Sequence, residues 1–311
     1  MTTASRRRGL AALTLAVVVV LATASCGGDD VEPTAVARPT ATDTPTSNGP
    51  VELQIALAST DISVGRNRIA FGLIDRQTGA VRDALVVVST FFLTDDGPQG
   101  PKETVDAVFR KWPVGQAGIY TVEVNFDMPG TWGLGVGVTD ADGSPGTGSA
   151  GLDVKETAAT PPIGSPAPRS DSKTIADVED FDQITTDVDP DPDLYTLTIA
   201  EAIESGLPSL VVFATPAYCT TSTCGPQLRV VKDIKKTYGD SANFVHVEVW
   251  DNPHEIEGDL SRGRLSPTIA EWGLVTEPWT FVLDRNGLVA AKFEGFATNE
   301  ELKEAMVAVV K

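Results

Sequence analysis

Two cysteines, Cys219 and Cys224, lie five positions apart in a segment that could carry thiol chemistry. The apolar run at residues 210–213 predicts a buried strand before them, and Pro226 is compatible with the first turn of a helix after them. Backbone amides and the dipole at a helix start stabilise a thiolate. This placement favours a redox-active pair, but the same two residues could instead form a structural disulfide that pins the loop.

The elements predicted around the cysteines alternate between helix and strand. Thr198 with Glu201, and Thr298 with Glu301, form capping boxes that mark two helix starts. The other predicted elements are strands at 210–213 and 243–250, an amphipathic helix at 227–238, a helix at 266–273, and a hairpin of 280–284 and 288–293. This alternation predicts an α/β domain over residues 195–311.

Residues 198–310 resemble the thioredoxin superfamily, with an aromatic residue before Cys219 and a Cys-Gly-Pro sequence that begins at Cys224. The segment around Pro278 looks like the cis-proline loop of that family. The resemblance implies a thioredoxin-like fold in which Cys219 and Cys224 are catalytic and the proline loop grips the substrate backbone. The residues that it implies in substrate binding are Tyr218, Glu277, Pro278 and Trp279.

The motif also departs from the family in three ways. The cysteines are separated by four residues instead of two, so that Gln227 stands where the second cysteine is usual. Val212 replaces a buried carboxylate, and Glu277 precedes the proline where an uncharged residue is usual. The direction of the reaction is therefore open. Chain order implies Cys219 as the nucleophile, whereas the helix start favours Cys224, and we take Cys219.

Two rival chemistries share parts of this pattern. Thr215 followed by Cys219, with Cys224 five residues later, resembles peroxiredoxins of the bacterioferritin-comigratory type, although the Thr-to-Cys spacing is one residue too long. Two thiolates with one imidazole, from His246 or His254, would resemble the copper site of Sco proteins. A fourth alternative is a non-catalytic interaction protein in which the same fold holds a structural disulfide.

Residues 51–155 carry apolar side chains at alternating positions in several short runs. The runs lie at 51–57, 69–73, 120–126 and 132–138, with a continuous apolar segment at 85–93. This spacing predicts an all-β sandwich of about seven strands. The sequence around Tyr120 resembles the tyrosine corner of immunoglobulin-like domains, and the stretch is similar to FixH-type and YtkA-like domains of the bacterial envelope. A spacer or docking role is expected, because no titratable cluster marks a site.

The first 25 residues read as a signal peptide, with three arginines before a short apolar run that ends in small residues. The small residues lead to Cys26 and resemble the lipobox of bacterial lipoproteins, in which that thiol is acylated. Residues 26–50 are rich in Thr, Pro and Ala and predict a disordered tether. Residues 156–194 are rich in Pro and acidic residues and predict a second linker, laid partly along the next domain.

The whole chain is acidic, with 24 basic and 43 acidic residues and a net charge of −19. This balance argues against nucleic acid as a partner and against polybasic binding to anionic lipid. No metal or other cofactor is expected. The expected function is thiol–disulfide exchange at the extracytoplasmic face of a cell membrane, where the chain is lipid-anchored. The expected partners are protein thiols and disulfides of the envelope and an electron donor that reaches across the membrane.

Overall fold

Apolar side chains at every second position form the core of the N-terminal lobe. The computed structural model describes residues 49–112 and 117–311, and in it Ile69, Phe71 and Leu73 are buried from one strand. Trp132 and Leu134 are buried from another, with a T-shaped contact between Trp132 and a neighbouring phenylalanine ring. Successive side chains of a strand point to opposite faces, so this alternation places one face of each strand inward. The predicted all-β character of the lobe is confirmed.

The strands of the β lobe, in chain order, are β1 (Val51–Glu52), β2 (Gln54–Leu57), β3 (Gly65–Asp75), β4 (Gly79–Ala80), β5 (Leu85–Thr94), β6 (Gly97–Lys111), β7 (Gly118–Phe126), β8 (Gly130–Thr139) and β9 (Pro145–Val154). They are hydrogen-bonded in the order β1-β9-β8-β5-β6-β7-β3-β2, with β4 on β3. The long strand β6 pairs with β5 as far as Ala107 and with β7 from Val108 onward. It therefore passes from one sheet of the sandwich to the other.

Tyr120 joins the two sheets. Its buried hydroxyl accepts a hydrogen bond from the backbone N–H of Ala84, at 3.0 Å and 36 positions upstream. A tyrosine corner bonds to the backbone only a few residues upstream. The expected corner is therefore replaced by a longer link, which connects β7 of one sheet to the residue just before β5 of the other.

The C-terminal lobe is built on a four-stranded mixed sheet. Its elements are α1 (Ile199–Glu204), β10 (Ser209–Ala214), α2 (Cys224–Tyr238), β11 (Asn243–Glu248), β12 (Trp250–Asp251), β13 (Arg264–Leu265), α3 (Pro267–Glu271), β14 (Trp279–Leu283), β15 (Val289–Glu294) and α4 (Asn299–Val310). The sheet order is β11-β10-β14-β15, and only β10 and β11 run parallel within it. Helices α2 and α4 pack on one face, and α1 and α3 on the other.

Residues 156–194, predicted to be a linker laid partly along the next domain, are packed against the C-terminal lobe and contribute to its core. Ala167 and Ile184 are buried in the two apolar clusters of that lobe. The backbone of 164–167 hydrogen-bonds to the start of β15, and Ser170 accepts from the indole of Trp272 at 3.1 Å. The composition of this segment suggested a chain without its own core. The structure shows that it uses the core of the neighbouring lobe.

The two lobes meet through buried charged groups. Arg68 of β3 and Glu301 of α4 are 2.8 Å apart, and each side chain is only 7% exposed. Burial opposes ionisation of Glu301, but Arg68 holds the pKa of that carboxyl below its ordinary value. Asp61 accepts hydrogen bonds from the backbone and hydroxyl of Thr160 at 3.0 and 2.7 Å, and Lys292 lies 3.7 Å from it. The β lobe, the 156–194 segment and β15 are thus held at one interface.

Candidate functional site

Cys219 and Cys224 form a disulfide at the end of the central strand β10. Their Cα atoms are 5.9 Å apart, within the usual range for a bridged pair. Cys224 is the first residue of α2 and is fully buried, whereas Cys219 in the preceding loop is half-buried. The helix begins at Cys224, so Pro226 lies in its first turn as expected. One sulfur of the bridge is more accessible than the other.

The start of α2 acts electrostatically on the accessible sulfur. The backbone N–H of Cys224 donates to Sγ of Cys219 at 3.2 Å, and the Thr221 hydroxyl lies 3.4 Å from the same sulfur. Unpaired amides at a helix start carry partial positive charge. When the bridge is open, this environment favours a thiolate on Cys219. The helix begins at Cys224, but its first N–H points to the sulfur of Cys219.

The proline loop contacts the cysteine loop directly. The Glu277–Pro278 peptide is cis, and Pro278 is buried. The Glu277 carboxylate accepts from the N–H and the hydroxyl of Thr220 at 3.2 and 2.8 Å, and its carbonyl accepts from Thr221 at 3.4 Å. The structure therefore brings Glu277 and Pro278 to the cysteine pair, with the carboxylate of Glu277 bound to the loop that carries Cys219.

Trp279 and Tyr218 differ in how they could meet a substrate. Trp279 is only 2% exposed; its ring stacks on Phe281 and its Nε1–H donates to the Thr276 hydroxyl at 3.0 Å. The expectation of a substrate-binding indole is corrected, because this side chain lies in the core beneath the proline loop. Tyr218, next to Cys219, is half-buried and remains at the surface of the site.

A buried polar network lies behind the cysteine loop. Glu248, at the end of β11, accepts from the N–H and hydroxyl of Thr186 at 2.9 and 2.8 Å, and the Thr186 hydroxyl accepts from the N–H of Ala217 at 3.1 Å. Burial raises the pKa of Glu248 to about 7. The sequence prediction missed this carboxyl group. The only available signal was an acidic residue inside an apolar strand.

Both ring nitrogens of His246 are occupied. Nε2 donates to the carbonyl of Ala214 at 3.1 Å, so Nδ1 accepts from the Tyr195 hydroxyl at 2.8 Å. Burial lowers the pKa of His246 to about 4, which keeps the ring neutral near pH 7. His254 lies on an exposed turn. In the part of the chain that the structure describes, no group of three or more His, Cys, Asp or Glu side chains is arranged to hold a metal ion.

A further feature of the described residues lies away from the disulfide. A cavity of about 520 Å³ lies between the lobes, lined by side chains of both, including Arg66, Arg110 and Glu304, and the cysteine loop does not line it. Cys26 and the predicted signal peptide lie outside the described residues. Within the described ranges, no helix combines the length and the apolar character that crossing a membrane requires.

Comparison with known protein families gives a match over the β lobe. The model of the YtkA-like family matches residues 48–137. The similarity of this stretch to YtkA-like domains, expected from the sequence, is therefore confirmed over that range. No curated protein matches the chain.

Solved structures with some similarity were also found. They include a DUF4426 family protein from Pseudomonas aeruginosa PAO1, at 14% identity and a TM-score of 0.22, over 30% of this chain and 76% of that one. The PKD domain of the human VPS10 domain-containing receptor SorCS2 matches at 11% identity and a TM-score of 0.19, over 42% and 96%. The PKD domain of an M14-like peptidase from Thermoplasmatales archaeon SCGC AB-540-F20 matches at 10% identity and a TM-score of 0.21, over 35% and 99%.

Proposed function

We propose that the C-terminal lobe is a thioredoxin-like domain and that the protein is a thiol–disulfide oxidoreductase acting through Cys219 and Cys224. The mixed sheet with two helices on each face supports the thioredoxin-like assignment. So does the position of the disulfide, between the central strand β10 and the start of α2. A third support is the contact between the proline loop and the cysteine loop, because the resemblance implies that the proline loop grips the substrate backbone beside the cysteines.

The observation that carries the proposal is the unequal environment of the two sulfurs. Cys219 is half-buried and accepts the first N–H of α2, whereas Cys224 is fully buried. Exchange requires an attacking thiolate to reach one sulfur while the other departs and is later restored. An accessible Cys219 and a buried resolving Cys224 meet both requirements.

The exchange requires no cofactor, because the electrons pass directly between the protein's disulfide and the partner thiols. A partner thiolate attacks Sγ of Cys219, forms a mixed disulfide and releases Cys224 as a thiolate that takes up a proton. A second partner thiolate then attacks the partner sulfur of the mixed disulfide and releases Cys219. Two partner thiols are oxidised to a disulfide and the Cys219–Cys224 bridge is reduced to two thiols. In the opposite direction the same steps reduce a partner disulfide.

The proposed partners are protein thiols and disulfides of the cell envelope. Acylation of Cys26 would hold the protein on the extracytoplasmic face of the cell membrane, where a disulfide can persist. When the protein reduces partner disulfides, an electron donor that reaches across the membrane would reduce the Cys219–Cys224 bridge back to two thiols. The acidic composition is consistent with protein partners and with lipid-mediated, not charge-mediated, attachment.

The proposal is tested by trapping the mixed disulfide. In Cys224→Ser the free Cys219 thiolate should attack partner disulfides and release one partner thiol, and the mixed disulfides should accumulate because no resolving thiol completes the second step. Cys219→Ser should accumulate far fewer, since the remaining thiol is buried. Adducts are counted by non-reducing electrophoresis and mass spectrometry of protein from envelope extracts.

The matched control is the double variant Cys219→Ser/Cys224→Ser, which should form none. If neither single variant traps a partner and both lose thermal stability, the alternative holds, and the bridge is a structural disulfide in an interaction protein. If Cys219→Ser is the better trap, the roles of the two cysteines are exchanged.

A further inference from the structure

Glu294, the last residue of β15, binds both lobes with one carboxylate. On the β-lobe side it accepts from the N–H and the hydroxyl of Thr60 at 2.8 and 2.6 Å. On the other side it accepts from the hydroxyl of Thr276 at 2.8 Å. A carboxylate with three donors from two lobes fixes their relative position more strongly than a neutral acceptor would.

Thr276 belongs to the proline loop, and both hydrogen-bonding capacities of its hydroxyl are used. It donates to Glu294 and accepts from the buried indole of Trp279 at 3.0 Å. The next residue, Glu277, binds Thr220 in the cysteine loop. Two sets of hydrogen bonds, joined by the peptide link between Thr276 and Glu277, therefore connect the β lobe to the loop that carries Cys219.

We propose that Thr60 of the β lobe is a positioning residue for the disulfide site, and that it acts through Glu294 on the proline loop. This inference rests on the proposed exchange function and gives the β lobe a part in it beyond that of a spacer. Thr60 touches neither cysteine. Its effect is to hold residues 276–278 in the position from which their backbone meets a peptide partner.

The test compares Thr60→Val with Thr60→Ser. Valine keeps the shape and the backbone N–H but removes the hydroxyl donor to Glu294, whereas serine keeps it. Thr60→Val should slow reduction of the disulfide by glutathione about fivefold, the effect of losing about one hydrogen bond. Reduction by dithiothreitol, which has no peptide group to use the proline loop, should be unchanged. Thr60→Ser should behave as the wild type with both reductants.

Arg110→Gln is the matched control. Arg110 of the β lobe lies 3.5 Å from Glu301, so its loss should weaken the same interface at a place away from the proline loop. It should leave the glutathione rate unchanged. If Thr60→Val slows both reductants equally, or if Arg110→Gln slows glutathione to the same extent, the positioning role is overturned.

A second readout separates this inference from the exchange function. Amide hydrogen exchange at Thr220 and Gly295, whose N–H groups donate to the Glu277 carboxylate and to the Pro278 carbonyl, should become about fivefold faster in Thr60→Val and stay unchanged in Arg110→Gln. If the wild-type bridge resists both reductants, the exchange function fails, and the hydrogen-exchange result still decides whether Thr60 positions the loop. Unchanged exchange at both amides in Thr60→Val overturns the inference.

Discussion

Glu248 is a carboxyl group that is buried without a cationic partner among its hydrogen bonds. Its oxygens are occupied by the backbone and hydroxyl of Thr186 and by the N–H of Val249. These donors favour the charged form, but burial opposes it more strongly and raises the pKa to about 7. Near neutral pH, Glu248 is therefore partly protonated, directly behind the loop that carries Cys219.

This raised pKa predicts a pH dependence of stability. The folded state keeps a proton that the unfolded state loses near pH 4.5, so the unfolding free energy falls as pH rises from about 4.5 to 7. The loss amounts to about 3 kcal/mol. Glu248→Gln cannot ionise, so its stability relative to wild type should improve by about 2 to 3 kcal/mol between pH 5 and pH 8, measured by urea unfolding.

The control for this measurement is Glu271→Gln, because Glu271 is exposed at the end of α3. Its pH profile should run parallel to that of the wild type. A parallel profile for Glu248→Gln as well would mean that Glu248 does not hold a proton in the folded state.

At the scale of elements, the 156–194 segment behaves as part of the C-terminal lobe. It contributes Ile184 to the apolar cluster beneath α2 and α4, and three aspartates of the same segment pair with Lys232 and Lys235 of α2. Ion pairs at a surface contribute little, so the apolar contacts account for most of its attachment.

This packing predicts different effects for two apolar residues of one segment. Ile184 is 5% exposed and Val188 is fully exposed. Ile184→Ala should lower the unfolding free energy by about 2 to 4 kcal/mol, because it removes buried methyl groups and leaves a cavity. Val188→Ala should change it by less than about 0.5 kcal/mol. Calorimetry of both variants decides the point, and equally small effects would show that the segment is not anchored through Ile184.

The sequence predicts those elements whose local pattern agrees with their tertiary role. The capping boxes at Thr198 and Thr298 are formed as expected, and the central strand is buried throughout. Strand β9 was not among the predicted runs, because its sequence lacks regularly alternating apolar residues. Its Gly148 is required by close packing, since a Cβ there would lie 2.8 Å from the carbonyl oxygen of Leu53. Such a contact depends on a distant segment and leaves no local signal.

In the candidate site too, the residues with a local sequence signal were predicted and those brought together by the fold were not. The two cysteines were found because one follows a strand and the other starts a helix, which are local features, and Pro278 was implied by the family resemblance. Glu294 and Thr60 were not found, because they meet across 234 positions of sequence. The resemblance implied that Trp279 binds substrate, whereas its indole is buried beneath the proline loop.

At the scale of the whole molecule, the interface between the lobes is polar and specific. Arg68 is bonded to Glu301 and to the carbonyl of Phe296, and its guanidinium lies 5.7 Å from the ring of Phe293. A buried ion pair stabilises an interface only when its hydrogen-bonding groups have partners. Arg68 meets this condition through its bonds to Glu301 and Phe296. The β lobe thus meets the C-terminal lobe in a defined orientation, beside the proline loop.

Membrane attachment is the prediction that concerns the whole protein. Stable anchoring takes two lipid signals, and the two acyl chains that the resemblance implies on Cys26 would supply them. Nothing in the composition would replace them, because a chain of net charge −19 is repelled by anionic lipid. Cys26→Ser should therefore move the protein from the membrane fraction to the soluble fraction. The control is Cys219→Ser/Cys224→Ser, which also removes thiols but should stay with the membrane. Membrane partition of Cys26→Ser equal to that of the control would show that the protein is held there by something other than lipid on Cys26.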